Sequence, residues 1–194
     1  MSDAGIKLSF GVLSGNQILE EVEKGTIVID PFDKKHLNPN SYNLHLGDEL
    51  LTYDHAILDM KREEPYTIER MSTTNGKLLI PGKLYLARTI ERTKTDGFVP
   101  MLEGRSSIGR LGIFIHATAG FGDNGFDGYW TLEISCVQPV IIYPGVEVGQ
   151  IYYHTIADVE EYGETGVPIK YTNGKYQNNN GIQPSMLWKE FQES

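Results

Sequence analysis

What most limits the fold of this chain is that its apolar runs are short and its turns are frequent. Residues 26–30, 41–47, 49–53, 77–80, 84–89, 98–102, 140–143 and 149–154 each gather β-branched, aromatic or alternating apolar residues over a few positions, as strands do. Pro81-Gly82, Asp96-Gly97 and Pro144-Gly145 break the pattern between them. A helical spacing occurs at residues 17–24, where Ile18, Leu19 and Val22 share one face. Ser14 and Asn16 offer capping side chains before it, and Gly25 offers a stop after it. The chain is therefore expected to be mainly β, a sandwich or barrel with one short N-terminal helix. Residues 59–70 are charged and resist assignment.

The totals narrow the function classes. With 194 residues, no internal repeat and no visible linker, one domain is expected. The net charge of −9 argues against non-specific nucleic-acid binding, which needs a broad basic face. It leaves room for an anionic small molecule bound by a local arginine and backbone N–H groups. No apolar run approaches the roughly 18 residues of a membrane span, and residues 1–7 do not read as a signal peptide. Cys136 is the only cysteine. An internal disulfide is excluded, which fits a reducing cytoplasm. The His/Cys/Cys set of zinc nucleobase deaminases cannot be assembled either, so no catalytic zinc is expected.

The polar chemistry concentrates in residues 103–133. An apolar run, residues 111–115, is expected to form a buried strand with polar groups at its two ends. Gly104-Arg105-Ser106-Ser107 joins a permissive glycine, a bidentate phosphate donor and two hydroxyls; the same tetrapeptide also serves as an ordinary polar turn. Arg110 is either a surface cation or the partner of a carboxylate such as Glu133. Glu133 lies among aromatic and apolar neighbours, so partial burial is expected. It is then either a structural ion pair or a proton shuttle. Asp123 is a turn aspartate or a carboxylate that orients water or a sugar hydroxyl, and His116 reads first as a core histidine. From residue 160 the composition turns polar, and residues 173–181 hold little to bury. That stretch is either a frayed end or a segment that orders over a ligand, with Lys175 reaching phosphate.

Taken together these motifs resemble the dCTP deaminases of the dUTPase superfamily. The resemblance is carried by residues 104–112 (Gly-Arg-Ser-Ser-Ile-Gly-Arg-Leu-Gly), Thr118-Ala119-Gly120-Phe121 followed by Asp123, Gly125 and Phe126, and Thr131-Leu132-Glu133. Residues 40–47, Gly145 with Gly149-Gln150, and Gly174-Lys175-Tyr176-Gln177 add to it, so that it spans residues 14–191. It implies a distorted β-barrel or jelly-roll-like fold with short helical turns. It also implies a homotrimer with sites between subunits, a segment from about residue 160 that closes over the site, and Mg²⁺ carried on the triphosphate. In that family Glu133 corresponds to the proton shuttle for water attack at cytosine C4, with Ser106, Arg110 and the Ala119 carbonyl around the water. Asp123 would contact the deoxyribose 3′-hydroxyl or activate a second water. Arg105, Ser107, Gln150 and Lys175 would hold phosphates, and His116, Thr118, Gly125, Tyr162 and Asn179 would complete the nucleotide site.

The implied reaction is zinc-independent conversion of dCTP to dUTP and ammonia. The Ala119-Gly120-Phe121 loop points toward members that continue to dUMP and diphosphate. Three positions depart from the pattern: Asn43 replaces a usual Asp, Gly122 a common Ile, and Asn179 a frequent Gln. Two alternatives stand beside deamination, namely a plain dUTP diphosphatase and a non-catalytic nucleotide-binding trimer. Phe126 and the Thr131-Leu132-Glu133 run favour the deaminase over the first, and an intact Ser106, Arg110 and Glu133 set favours it over the second. dCTP and dUTP are the expected ligands, and dTTP enters as a candidate inhibitor.

Overall fold

A computed structural model of the chain describes residues 11–156 and 174–192. Helix α1 (Gly15–Lys24) begins where Ser14 closes a capping box with Gln17, and ends at Gly25 in the left-handed region. Its Ile18 is fully buried. Strands β1 (Ile27–Asp30), β2 (Tyr42–His45) and β3 (Glu49–Tyr53) follow. Next come β4 (Tyr66–Arg70), β5 (Lys77–Leu79), β6 (Tyr85–Thr95) and β7 (Phe98–Gly104). A short helical turn α2 (Ser106–Gly109) leads to β8 (Ile113–Phe114), β9 (Asp127–Cys136), β10 (Val140–Ile142) and β11 (Glu147–Thr155).

All strand pairs are antiparallel. One sheet runs β4-β3-β6-β9-β8, with β1 also on β6; a second runs β2-β11-β7, and β5 pairs β10. The fold is mainly β, as the sequence predicts, but the pairings among the described strands do not close a barrel. Leu44, Leu46, Leu102, Leu132, Ile134, Ile151 and Tyr153 fill the space between the sheets.

Three expectations need correction. Strand β6 runs to Thr95, well past the predicted end at residue 89. Its charged residues look like loop but are paired: Glu91 with His45, and Arg92 with Asp127. Strand β4 escaped prediction because it is an exposed edge with no buried face to impose alternation. Residues 111–115 are not a buried strand. Only Ile113 and Phe114 are strand; Ile113 and Ile115 point inward, while Leu111 and Phe114 are exposed.

The sheet interior fixes the aromatic floor beneath β9. Trp130 Nε1 donates to Thr93 Oγ1 at 2.9 Å, both groups buried, and the Trp130 N–H donates to Thr89 Oγ1 at 3.2 Å. Replacing Thr93 with Val removes the acceptor without changing shape much. Chemical denaturation should show a loss of about 1–3 kcal/mol, the cost of a buried unsatisfied donor. Unchanged stability would mean that this bond does not hold Trp130.

Candidate active site

Strand β9 alternates strictly. Trp130, Leu132 and Ile134 are buried, and Tyr129, Thr131 and Glu133 are half-buried on the other face. Beside β8 the ladder extends into the next loop. The Glu133 N–H donates to the Ile115 carbonyl at 2.8 Å, and the Ala117 N–H donates to Glu133 Oε2 at 2.8 Å. One carboxylate oxygen is therefore spoken for by backbone. The other makes no hydrogen bond among the described residues, and Glu133 lines a cavity of about 520 Å³, an ordinary size for a small-molecule site.

Three segments supply most of the wall of this cavity, and Tyr53, Leu84 and Leu86 complete it. Ala117, Thr118, Ala119, Phe121, Gly122 and Asp123 come from the loop after β8. Tyr129, Trp130, Thr131 and Glu133 come from β9, with Phe126 just before it, and Tyr176, Asn179, Gln183, Pro184 and Ser185 come from the C-terminal segment. The loop is braced underneath by Asn124, which is buried and accepts from the Gly97 N–H at 2.8 Å. Gly122 sits against the floor. A Cβ there would lie 2.6 Å from Trp130 and 2.8 Å from Pro100, so the common Ile would displace the aromatic floor.

The C-terminal segment is docked by amides. Asn179 Oδ1 accepts from the Tyr129 N–H and Asn179 Nδ2 donates to the Tyr129 carbonyl, each at 3.0 Å. This pair imitates a strand partner at the edge of β9. Gln177 repeats the device one step away, accepting from the Asp127 N–H at 3.2 Å and donating to the Gly125 carbonyl at 2.7 Å. Gln183 and Ser185 then bond through their N–H groups to Thr131 Oγ1 and Tyr53 Oη. Residues 174–181 are thus held against β9 by side-chain amides.

Of the predicted site residues, Glu133, Thr118, Ala119, Asp123 and Asn179 meet in the cavity. Gly125 does not line it; its carbonyl accepts from Gln177 Nε2 at 2.7 Å. His116 is half-buried with Nε2 3.7 Å from Glu103, and its buried Nδ1 has no hydrogen-bond partner among the described residues. Ser106, Ser107 and Arg110 are exposed and do not line the cavity of their own chain, and Arg110 makes no ion pair among the described residues. The expected Arg110–Glu133 pair is thus not formed within one chain.

Arg105 pairs with Glu147 on β11, and its Nη1 also donates to the Glu147 carbonyl at 3.4 Å. Burial pushes the Glu147 carboxyl up, but hydrogen bonds from His36 and Asn43 and the Arg105 charge outweigh it and hold the group below the usual carboxylate range. Gln150 accepts from Ser41 Oγ at 3.3 Å. Lys175 is paired with Glu190. Tyr162 lies outside the described residues, as do residues 157–173 of the expected closing segment.

Sequence reasoning missed Tyr129, Tyr176, Gln183 and the Asn124 brace. The available signal was the alternation of residues 127–136, which puts Tyr129 and Thr131 on the face of Glu133. Arg88 stacks on the Tyr129 ring at 4.3 Å and stiffens that wall.

Residues 12–156 match the dCTP deaminase-like family. The chain belongs to that family. It is 57% identical over 182 residues to a protein of Clostridium beijerinckii named dCTP deaminase, dUMP-forming, covering 94% of this chain and 99% of the relative. A protein of the same name from Clostridium acetobutylicum is 58% identical over 180 residues, covering 93% and 98%. The crystal structure of 2′-deoxycytidine 5′-triphosphate deaminase from Agrobacterium tumefaciens matches with a TM-score of 0.59 at 20% identity. That match covers 75% of this chain and 48% of the other. The structural likeness is one of fold.

The amide docking of the C-terminal segment is open to direct test. Asn179→Ala should speed hydrogen exchange at the Tyr129 amide by about fivefold or more, since a hydrogen bond of about 1 kcal/mol guards it. Exchange at wild-type rate would show that the segment does not dock through this residue.

Proposed function

We propose that this chain deaminates dCTP to dUTP and ammonia without zinc, and carries the product on to dUMP and diphosphate. The observation that carries this reading is the Glu133 carboxylate, which lines the cavity with one oxygen fixed by the Ala117 N–H and the other free of hydrogen bonds among the described residues. Family membership and the names of the relatives support it.

In the first step the water oxygen bonds to cytosine C4 while Glu133 takes its proton. Glu133 passes that proton to N3, so no full negative charge builds on the ring. Glu133 then takes the remaining proton from the C4 hydroxyl and delivers it to the exocyclic nitrogen, the C4–N bond breaks, ammonia leaves and C4=O forms. The Ala119 carbonyl helps to hold the water. In the second step Asp123, exposed in the same cavity, orients a second water toward the α-phosphate, and diphosphate leaves. Thr118, Gly125 and Asn179 shape the nucleoside end, with His116 behind the loop. Tyr129 and Trp130 supply apolar walls.

The second half of the site comes from a neighbouring copy in a homotrimer. Ser106 and Arg110 are exposed on their own chain. Next to them Leu111, Phe114 and Val137 present exposed apolar surface, the kind that marks a protein interface. A second copy seated there would bring Ser106 and Arg110 to the Glu133 water, and Arg105, Ser107 and Gln150 to the phosphates, while Lys175 reaches them from the C-terminal segment docked on the Glu133 chain. Mg²⁺ fits as part of the substrate, because it binds through nucleotide phosphates and oxygen ligands. The three-member metal-type cluster among the described residues is instead His36, His45 and Glu147, outside the cavity. When bound, Mg²⁺ would offset phosphate charge in an acidic chain. The unit acts as one domain in which the segment from about residue 160, with Tyr162, closes over the nucleotide. The same pocket would admit dTTP as an inhibitor, and the site of action is the cytoplasm.

With dCTP and Mg²⁺, the protein should release ammonia and diphosphate in equal amounts. Accumulating dUTP would refute the continuation to dUMP, and diphosphate from dUTP with no ammonia from dCTP would refute deamination. Glu133→Gln should lower ammonia release by about 10²–10⁴-fold, the usual worth of a general acid–base group, and leave nucleotide binding largely intact.

A further inference from the structure

Away from the cavity, two imidazoles and a carboxylate converge where the three-stranded sheet meets the six-stranded one. His36 lies on a short 3-10 turn (Lys34–His36), His45 on β2 and Glu147 on β11. Each offers one ligand atom, and the three atoms lie within 4.8 Å of one another. The two rings stand edge to face with centroids 4.3 Å apart, and His36 Nδ1 donates to Glu147 Oε1 at 2.8 Å.

Two strand irregularities aim the carboxylates of this cluster. The β6–β9 register shifts between Arg88 and Arg92, and the β11–β2 register shifts between Glu147 and Gly149. Glu91 and Glu147 sit at those shifts. Bulges of this kind re-aim side chains and are costly without a purpose.

Glu91 also does what an outer carboxylate does in metal sites. It is 2% exposed, and it accepts from His45 Nδ1 at 2.5 Å and from the His45 N–H at 2.9 Å. That holds the ring in the tautomer whose Nε2 lone pair is free for a metal. Asn43 Nδ2 donates to Glu147 Oε1 at 3.1 Å and orients the third ligand; an Asp at position 43 would repel it instead. A hollow beside His36, His45 and Glu91 gives an access route and room for water ligands.

We propose that His36, His45 and Glu147 bind one divalent transition-metal ion, with Zn²⁺ or Co²⁺ as the suited class. Two imidazoles and one carboxylate match such ions, whereas Mg²⁺ and Ca²⁺ take all-oxygen sets. The ion replaces the proton shared between His36 and Glu147. It clamps the 3-10 turn to β2 and β11 through Glu147, whose other oxygen stays paired with Arg105, and lies outside the cavity.

The test uses the untagged full chain, stripped with a chelator and kept at neutral pH. Zn²⁺ should bind at one equivalent per chain by calorimetry and raise the melting temperature, since a ligand that binds only the folded state stabilises it. Co²⁺ should give the visible bands of a low-coordinate site. His36→Gln and His45→Gln should each weaken Zn²⁺ binding by at least about tenfold. His36→Gln keeps the His45–Glu91 pair and serves should the other variant fail to fold. His55→Gln, at an exposed histidine bonded to Glu64, should bind as wild type does. Absence of saturable binding, or binding that His36→Gln leaves unchanged, would overturn the proposal.

Discussion

The hydrogen bond from the Ala117 N–H to Glu133 is the contact on which the candidate site depends. It continues the β8–β9 ladder past its last strand residue, so the backbone that pairs with β9 also holds its carboxylate. Because the donor is backbone, the side chain is positioned without a cation beside it. The second oxygen stays available to a water. The loop that follows, carrying Ala119 and Asp123, takes its starting point from the same bond. Underneath, Asn124 and the Trp130–Thr93 pair keep the loop and the floor from shifting.

A second theme is that side-chain amides finish what the sheets leave open. The edge of β9 beyond its pairing with β6 would present unpaired backbone groups. Asn179 and Gln177 satisfy them in the manner of an added strand. An amide-rich stretch that lacks apolar residues can therefore dock without a hydrophobic core of its own. The tail contributes Tyr176 and Gln183 to the cavity as a consequence of that docking.

Much of this was legible in the sequence, and the failures have physical causes. Strand β3 and helix α1 were readable because pattern, caps and turns agree there, and Glu133 stood out because a carboxylate among aromatic neighbours is unusual. Asp123 and Ala119 were reachable through the family resemblance and do line the cavity. Strand β6 was cut short because Glu91, Arg92 and Lys94 carry charge, and the partners of Glu91 and Arg92 lie far away in sequence. Strand β8 was over-read because an apolar run need not be buried along its whole length; Leu111 and Phe114 are exposed. The link between Glu133 and Ser106 could not come from local pattern at all. Within one chain the two groups belong to different surfaces.

That separation is what the functional account must explain, and it can be tested by mixing subunits. Glu133→Gln and Ser106→Ala chains, each nearly inactive alone, would be co-expressed in equal amounts and all their oligomers purified together. If each site takes Glu133 from one copy and Ser106 from another, random assembly restores about one quarter of wild-type deamination. A mixed preparation no more active than its parents would contradict a site shared between copies.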